Sequence, residues 1–173
     1  MIKSNSEVEI NQNSLLIIDK SFVERISNLA KENSSGKYRT CIHASNNDNV
    51  HEMLIAHTSN TYVRPHKHRV NGESLQFIEG KAVAIIFEDN GTIKKAFTVS
   101  CYDANNSFYY SMSSAQYHML IIQSDILIFK ETVRGPFIRD DTVFPDWAPN
   151  GDDRDETNKY LSELMEEVNS ILS

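Results

Sequence analysis

The chain has 173 residues, with 17 basic and 24 acidic side chains, a formal net charge of -7 and 40% hydrophobic residues. That length suits one domain, and the composition is globular, which excludes wholesale disorder. A net acidic balance argues against a nucleic-acid partner, because phosphate backbones require a basic surface. The acidity is local, however. Asp140 to Ser173 hold ten acidic and two basic residues, so the remaining body is nearly neutral and open to small anionic ligands.

No apolar run approaches a membrane span. The first residues, Met1-Ile2-Lys3-Ser4-Asn5, lack the apolar core and cleavage site of a signal peptide. Cys41 and Cys101 are too few and too far apart for a zinc knuckle or a disulfide framework. Two buried free thiols in a reducing cytoplasm are the expectation, with no membrane partner.

In chain order, residues 1–36 form an N-terminal segment with a helix. Ser21 and Glu24 have the spacing of a capping box, Phe22, Ile26, Leu29 and Ala30 share one face, and Asn33-Ser34-Ser35-Gly36 ends the element. From Lys37 the texture becomes β. Short apolar runs at Leu75–Ile78, Ala82–Phe87, Ile93–Val99, Tyr117–Ile122 and Ile126–Phe129 alternate with turn signals, and Asp89-Asn90-Gly91 is a hairpin turn. Seven or eight such strands predict an antiparallel sandwich or barrel over residues 37–153, closed by an irregular arm after Arg134-Gly135-Pro136-Phe137. Residues 154–173 predict an acidic amphipathic helix with Leu161, Leu164, Met165, Val168 and Leu172 on one side.

The chemistry lies in Tyr62-Val63-Arg64-Pro65-His66-Lys67-His68. Residues two apart in a strand point to one face, so His66 and His68 can converge on one ion, whereas a helix would splay them. Glu73 follows across a polar loop that contains Gly72, which lets the chain reverse. Two imidazoles with a carboxylate suit a divalent transition metal that keeps open coordination positions. His118, in the otherwise apolar run Tyr117–Ile122, is the best fourth ligand, and Gln116 shares its face.

His66, His68, Glu73 and Gly80 match the spacing of the first cupin motif, and His118 stands where the second motif supplies its ligand. More narrowly, the chain resembles the WbuC family of cupin-fold metalloproteins. The resemblance is carried by Tyr62–His68, Glu73-Ser74, Phe87–Gly91, Glu131, Gly135-Pro136-Phe137, Trp147-Ala148-Pro149 and the Arg39 to His43 approach. Asn60 replaces the motif's leading Gly, Ser113 and Ala115 replace the usual Pro and Gly, and Ile122 replaces its closing Asn. The resemblance implies a jelly-roll barrel holding one divalent metal (Fe, Mn, Ni or Zn) by His66, His68, Glu73 and His118, a homodimer, and a role in surface polysaccharides such as O-antigen.

Around that centre, Glu131, His43 and Tyr62 are candidates for moving a proton, and Glu131 is equally a buried carboxylate paired with Arg134 or another cation. Arg64, Arg39 and Gln116 are candidates for holding substrate; Tyr62 and Arg64 face the cavity only if Pro65 introduces no bulge. His51 and His57 read as surface or hydrogen-bonded structural residues, and Trp147 as a plug or partner contact. Three functions stay open. The first is a metal-dependent isomerase or epimerase acting on a sugar or nucleotide-sugar intermediate. The others are an iron-dependent oxygenase and a non-catalytic metal-dependent sugar-binding module.

Overall fold

The computed structural model describes residues 7–69, 72–102 and 105–173. The chain builds a jelly roll of eleven strands with one helix at each end. The strands are β1 (Val8–Ile10), β2 (Lys37–Cys41), β3 (Val50–Thr58), β4 (Lys67–His68), β5 (Glu73–Glu79), β6 (Lys81–Phe87), β7 (Ile93–Ser100), β8 (Tyr109–Met112), β9 (Tyr117–Ile122), β10 (Ile126–Arg134) and β11 (Thr142–Val143). Helix α1 spans Lys20–Glu32 and α2 spans Arg154–Leu172. A six-stranded sheet ordered β1-β2-β3-β10-β5-β8 faces a three-stranded sheet ordered β7-β6-β9, and β4 pairs with β11.

The strands beneath the helices, such as β3 and β6, are buried on both sides, which explains runs that look apolar throughout rather than alternating. In β3, Met53 and Ile55 point into the space between the sheets, while Leu54 and Ala56 pack outward under Ile26 and Ala30 of α1. In β6, Ala82 and Ala84 point inward, and Val83, Ile85 and Phe87 pack outward under Leu164 and Val168 of α2. The stripe on the last helix is therefore core. At about 25 cal/mol per Å² of apolar surface removed from water, these two helix seams and the inter-sheet core are the main stabilising layers.

The cap of α1 differs from the sequence expectation. Asp19, not Ser21, is the N-cap: its carboxylate accepts from the Phe22 backbone N–H at 2.9 Å and from the Ser21 hydroxyl at 2.7 Å. A carboxylate is the stronger acceptor at the positive end of a helix, so the serine becomes a donor to it. Glu24 instead lies 3.7 Å from Lys20 on the exposed side. In α2, Asp153 accepts from the N–H groups of Asp155 and Glu156.

The hairpin between β6 and β7 turns at Gly91, whose φ of 91° requires glycine. Trp147 lies against that glycine and against Phe87 and Tyr117, and donates its indole N–H to the Asp89 carbonyl. It thus buttresses the outer face of the small sheet and does not plug the barrel. Cys41 is buried on the inner wall, as expected, but Cys101 is exposed. Among the described residues, no helix is long and apolar enough to cross a membrane.

Candidate metal centre

Residues 62–68 are less regular than a strand. Pro65 supplies no N–H to a ladder, so only Lys67–His68 is strand, and His66 makes a two-way backbone bridge with His118 (3.1 and 2.9 Å). The bridge sets His66 beside His118 on the inner face of β9. Lys67 turns outward to an ion pair with Asp89 (2.6 Å), which leaves His66 and His68 on the cavity side. Thr142 of β11 lies opposite His68 in register, its hydroxyl 3.4 Å from His68 Nδ1.

One ligand atom from each of His66, His68 and His118 lies within 4.8 Å of the others. Glu73, the first residue of β5, joins them: its Oε1 is 2.8 Å from His118 Nε2 and its Oε2 is 3.3 Å from His68 Nε2. Gly72 holds that strand start in place, because a Cβ there would come within 2.3 Å of the Met112 carbonyl. Val70 and Asn71, in the loop expected to reverse the chain, lie outside the described residues.

The donor chemistry fits a cation. His66 Nδ1 and His118 Nδ1 lie 2.9 Å from the carbonyls of Arg64 and Gln116, which can only accept, so these nitrogens carry the hydrogens and Nε2 offers the lone pair. A neutral His118 would then set its lone pair against the Glu73 carboxylate. The clash disappears if a proton or a metal ion sits between them. Burial opposes charge on His118, but Glu73 outweighs it and raises that ring's pKa. Burial likewise opposes charge on Glu73, but His118 and the hydrogen bonds from His118 and His68 hold its carboxyl well below the usual range. Burial, reinforced by His118, lowers His66 to about 3. Neutral imidazole and ionised carboxylate are the forms that bind a transition metal.

The four groups open on a cavity of about 1010 Å³ between the sheets, lined also by Lys37, Arg39, His57, Tyr110 and Glu131. Glu131 of β10 lies deep in the protein, opposite Met53 and Leu75. Burial, followed by repulsion from Glu73, raises its carboxyl to about 7. Attraction to His68, His118 and Arg39 opposes that rise.

Three other sequence candidates are put to different use. The Tyr62 hydroxyl donates to the Pro149 carbonyl at 3.0 Å, and burial pushes its pKa up to about 12, which ill suits proton transfer near neutrality. The Arg64 guanidinium donates to the Pro145 carbonyl at 2.9 Å and stacks over Phe144. Both residues line the cavity, as the sequence expectation had it, and also fasten the irregular arm to the barrel rim. Gln116 contributes its carbonyl to His118 and does not line the cavity.

His43 lines the cavity, its Nδ1 held to the Glu52 carbonyl at 3.0 Å and its ring stacked on His51 at 4.0 Å; burial lowers its pKa. Arg39 also lines the cavity and its side chain makes no hydrogen bond or ion pair within the described residues. Contrary to the sequence expectation, His51 and His57 are wall residues: His51 Nε2 and His57 Nδ1 are buried without hydrogen-bond partners among the described residues, as is the Tyr110 hydroxyl. The available signal was the alternation His51, Met53, Ile55, His57, masked by apolar Leu54 and Ala56 between them.

A family model described as a domain of unknown function (DUF6016) matches residues 18–99, just under half of the chain, and ends before His118 and Glu131. No curated protein matches the chain. Among solved structures, protein SO0799 from Shewanella oneidensis is similar at a TM-score of 0.56 and 8% identity, over 70% of this chain and 82% of that one. The capsular polysaccharide assembling protein CapF from Staphylococcus aureus is similar at 0.51 and 17% identity, over 62% of this chain but only 31% of CapF. At these identities the likeness is one of fold, and that fold is the cupin-type jelly roll.

Proposed function

We propose that this chain is a metal-dependent enzyme of isomerase or epimerase type, acting on a sugar or nucleotide-linked sugar in surface-polysaccharide assembly. The observation that carries this reading is the meeting, across the two sheets, of three imidazoles with a carboxylate, close to a second carboxyl whose pKa burial raises to about 7. His66, His68, His118 and Glu73 would hold the metal. When bound, it would supply Lewis acidity toward a substrate carbonyl or hydroxyl pair.

The chain's own groups divide the remaining work. Glu73, doubly held by His68 and His118, stays ionised and is suited to being a ligand rather than a proton carrier. Glu131, poised at about 7, is suited to taking a proton from a substrate carbon and returning it on the same face to the neighbouring carbon. The cavity's volume exceeds that of a single hexose. The sugar assignment draws on the WbuC-like residues and on the fold shared with CapF, a capsular polysaccharide assembling protein. The same reading includes a homodimer in the cytoplasm, which light scattering tests; a monomer at working concentration removes it.

The decisive experiment incubates the metal-loaded protein with nucleotide-linked ketosugars in deuterated water. Incorporation of deuterium at carbon, lost in Glu131→Gln while metal content is kept, is the expected result. Tight binding with no exchange would replace the enzyme by a sugar-binding module. Dependence on dioxygen and on iron would replace it by an oxygenase.

A further inference from the structure

The cavity has a second polar region that the metal centre does not use. Lys37 and Arg39 lie two residues apart on β2, so both point to the inner face; Lys37 stands opposite His57 in register, and Arg39 opposite Ile55. Arg39 is exposed to the cavity space and its guanidinium makes no hydrogen bond or ion pair within the described residues. Lys37 has only a long contact, 3.4 Å, to the Tyr62 carbonyl. His57 Nδ1 is buried and has no hydrogen-bond partner among the described residues. Glu7 and Glu131 line the same space; Arg39 attracts the Glu131 carboxyl, but among the described residues neither carboxylate forms an ion pair with Lys37 or Arg39.

Two cations side by side on a concave wall repel each other, and a buried ring nitrogen without a hydrogen bond costs free energy. One ligand chemistry relieves all three: an oxyanion, which takes the planar fork of Arg39, the point charge of Lys37 and an N–H from His57. We propose that Lys37, Arg39 and His57 form an oxyanion subsite that seats the phosphate or carboxylate of the cavity's ligand. The ligand is then a two-ended molecule, a phosphorylated or carboxylated sugar, with its acidic group on the β2–β3 wall. The inference shares the cavity with the proposed function but does not depend on the metal.

The test titrates the full-length, metal-loaded protein by calorimetry with two probes, inorganic pyrophosphate and D-glucuronate. At least one binds with unit stoichiometry, and the tighter probe identifies the source of the oxyanion. Arg39→Ala weakens that probe by about tenfold or more, and Arg39→Lys recovers part of the loss, since a charged hydrogen bond is removed and then partly restored. His66→Ala, which disables the metal centre, leaves affinity within about twofold, because the distinct subsite keeps all its charge-assisted bonds. Arg39 packs against nothing that the fold requires, so an unchanged circular dichroism spectrum of the variant is expected. Absence of binding by both probes overturns the proposal, and so does binding that Arg39→Ala does not weaken. Binding lost equally in His66→Ala also overturns it, by assigning the oxyanion to the metal centre.

Discussion

The two sides of the cavity treat their polar atoms in opposite ways. Around His66, His68, His118 and Glu73, nearly every donor faces an acceptor, and backbone carbonyls fix which ring nitrogen points inward. On the β2–β3 wall, Arg39, His57 and His51 present atoms that no group among the described residues satisfies, and Tyr110 of β8 does the same beside Glu73. A cation centre must be organised before the ion arrives, because ligands that wander cost affinity. A subsite for a polyoxygenated ligand keeps donors open, since filling them internally would compete with the ligand.

The contrast is broken most forcefully by metal. If the braced side is a metal centre, metal at about 1,000 times its dissociation constant stabilises the protein by about 4 kcal/mol. His118→Ala abolishes that gain, whereas Arg39→Ala keeps it, as thermal unfolding with and without metal will show. Equal loss in both variants would merge the two regions into one.

Glu131 lies between them and gives the next effect. Its folded pKa is raised above the unfolded value, so its contribution to stability is complete below about pH 4.5 and is lost as pH rises through about 7. Glu131→Gln imitates the protonated form. The metal-free variant therefore matches the wild type below pH 4.5 and exceeds it above pH 7, by on the order of 2 kcal/mol in denaturant titrations. A bound cation offsets Glu73 and shrinks the difference.

Two tyrosines sharpen the comparison further. Tyr62 has a partner in the Pro149 carbonyl, so Tyr62→Phe costs about 1 kcal/mol. The Tyr110 hydroxyl has none, so Tyr110→Phe changes ligand-free stability by less than about 0.5 kcal/mol, or raises it slightly. Chemical denaturation of both variants measures the pair. A larger loss for Tyr110 would mean that the orphaned wall is satisfied after all.

The legible parts of the sequence were those where local pattern and tertiary role coincide. Asp89-Asn90-Gly91 announced its hairpin because only positive φ closes that turn, and His66-Lys67-His68 announced convergence because strand parity survives over two residues. Tyr62 and Arg64 reach the cavity without a strand behind them, since Pro65 ends the ladder and the arm at Pro145–Pro149 engages both side chains. The long strand β3 went unlisted among the apolar runs because α1 covers its outer face, which fills the alternate positions with Leu54 and Ala56. With that strand unseen, His51 and His57 could not be placed on the cavity wall, and no sequence signal says that their nitrogens lack partners.

The central claim is that three imidazoles and Glu73 form a metal centre. Its most direct test is elemental analysis of protein purified without chelator, alongside His66→Ala. The account predicts about one transition-metal ion per wild-type chain and a loss of about tenfold or more in the variant. Wild-type protein that holds no metal even after incubation with Fe, Mn, Ni or Zn, or a variant that retains it in full, would contradict the account.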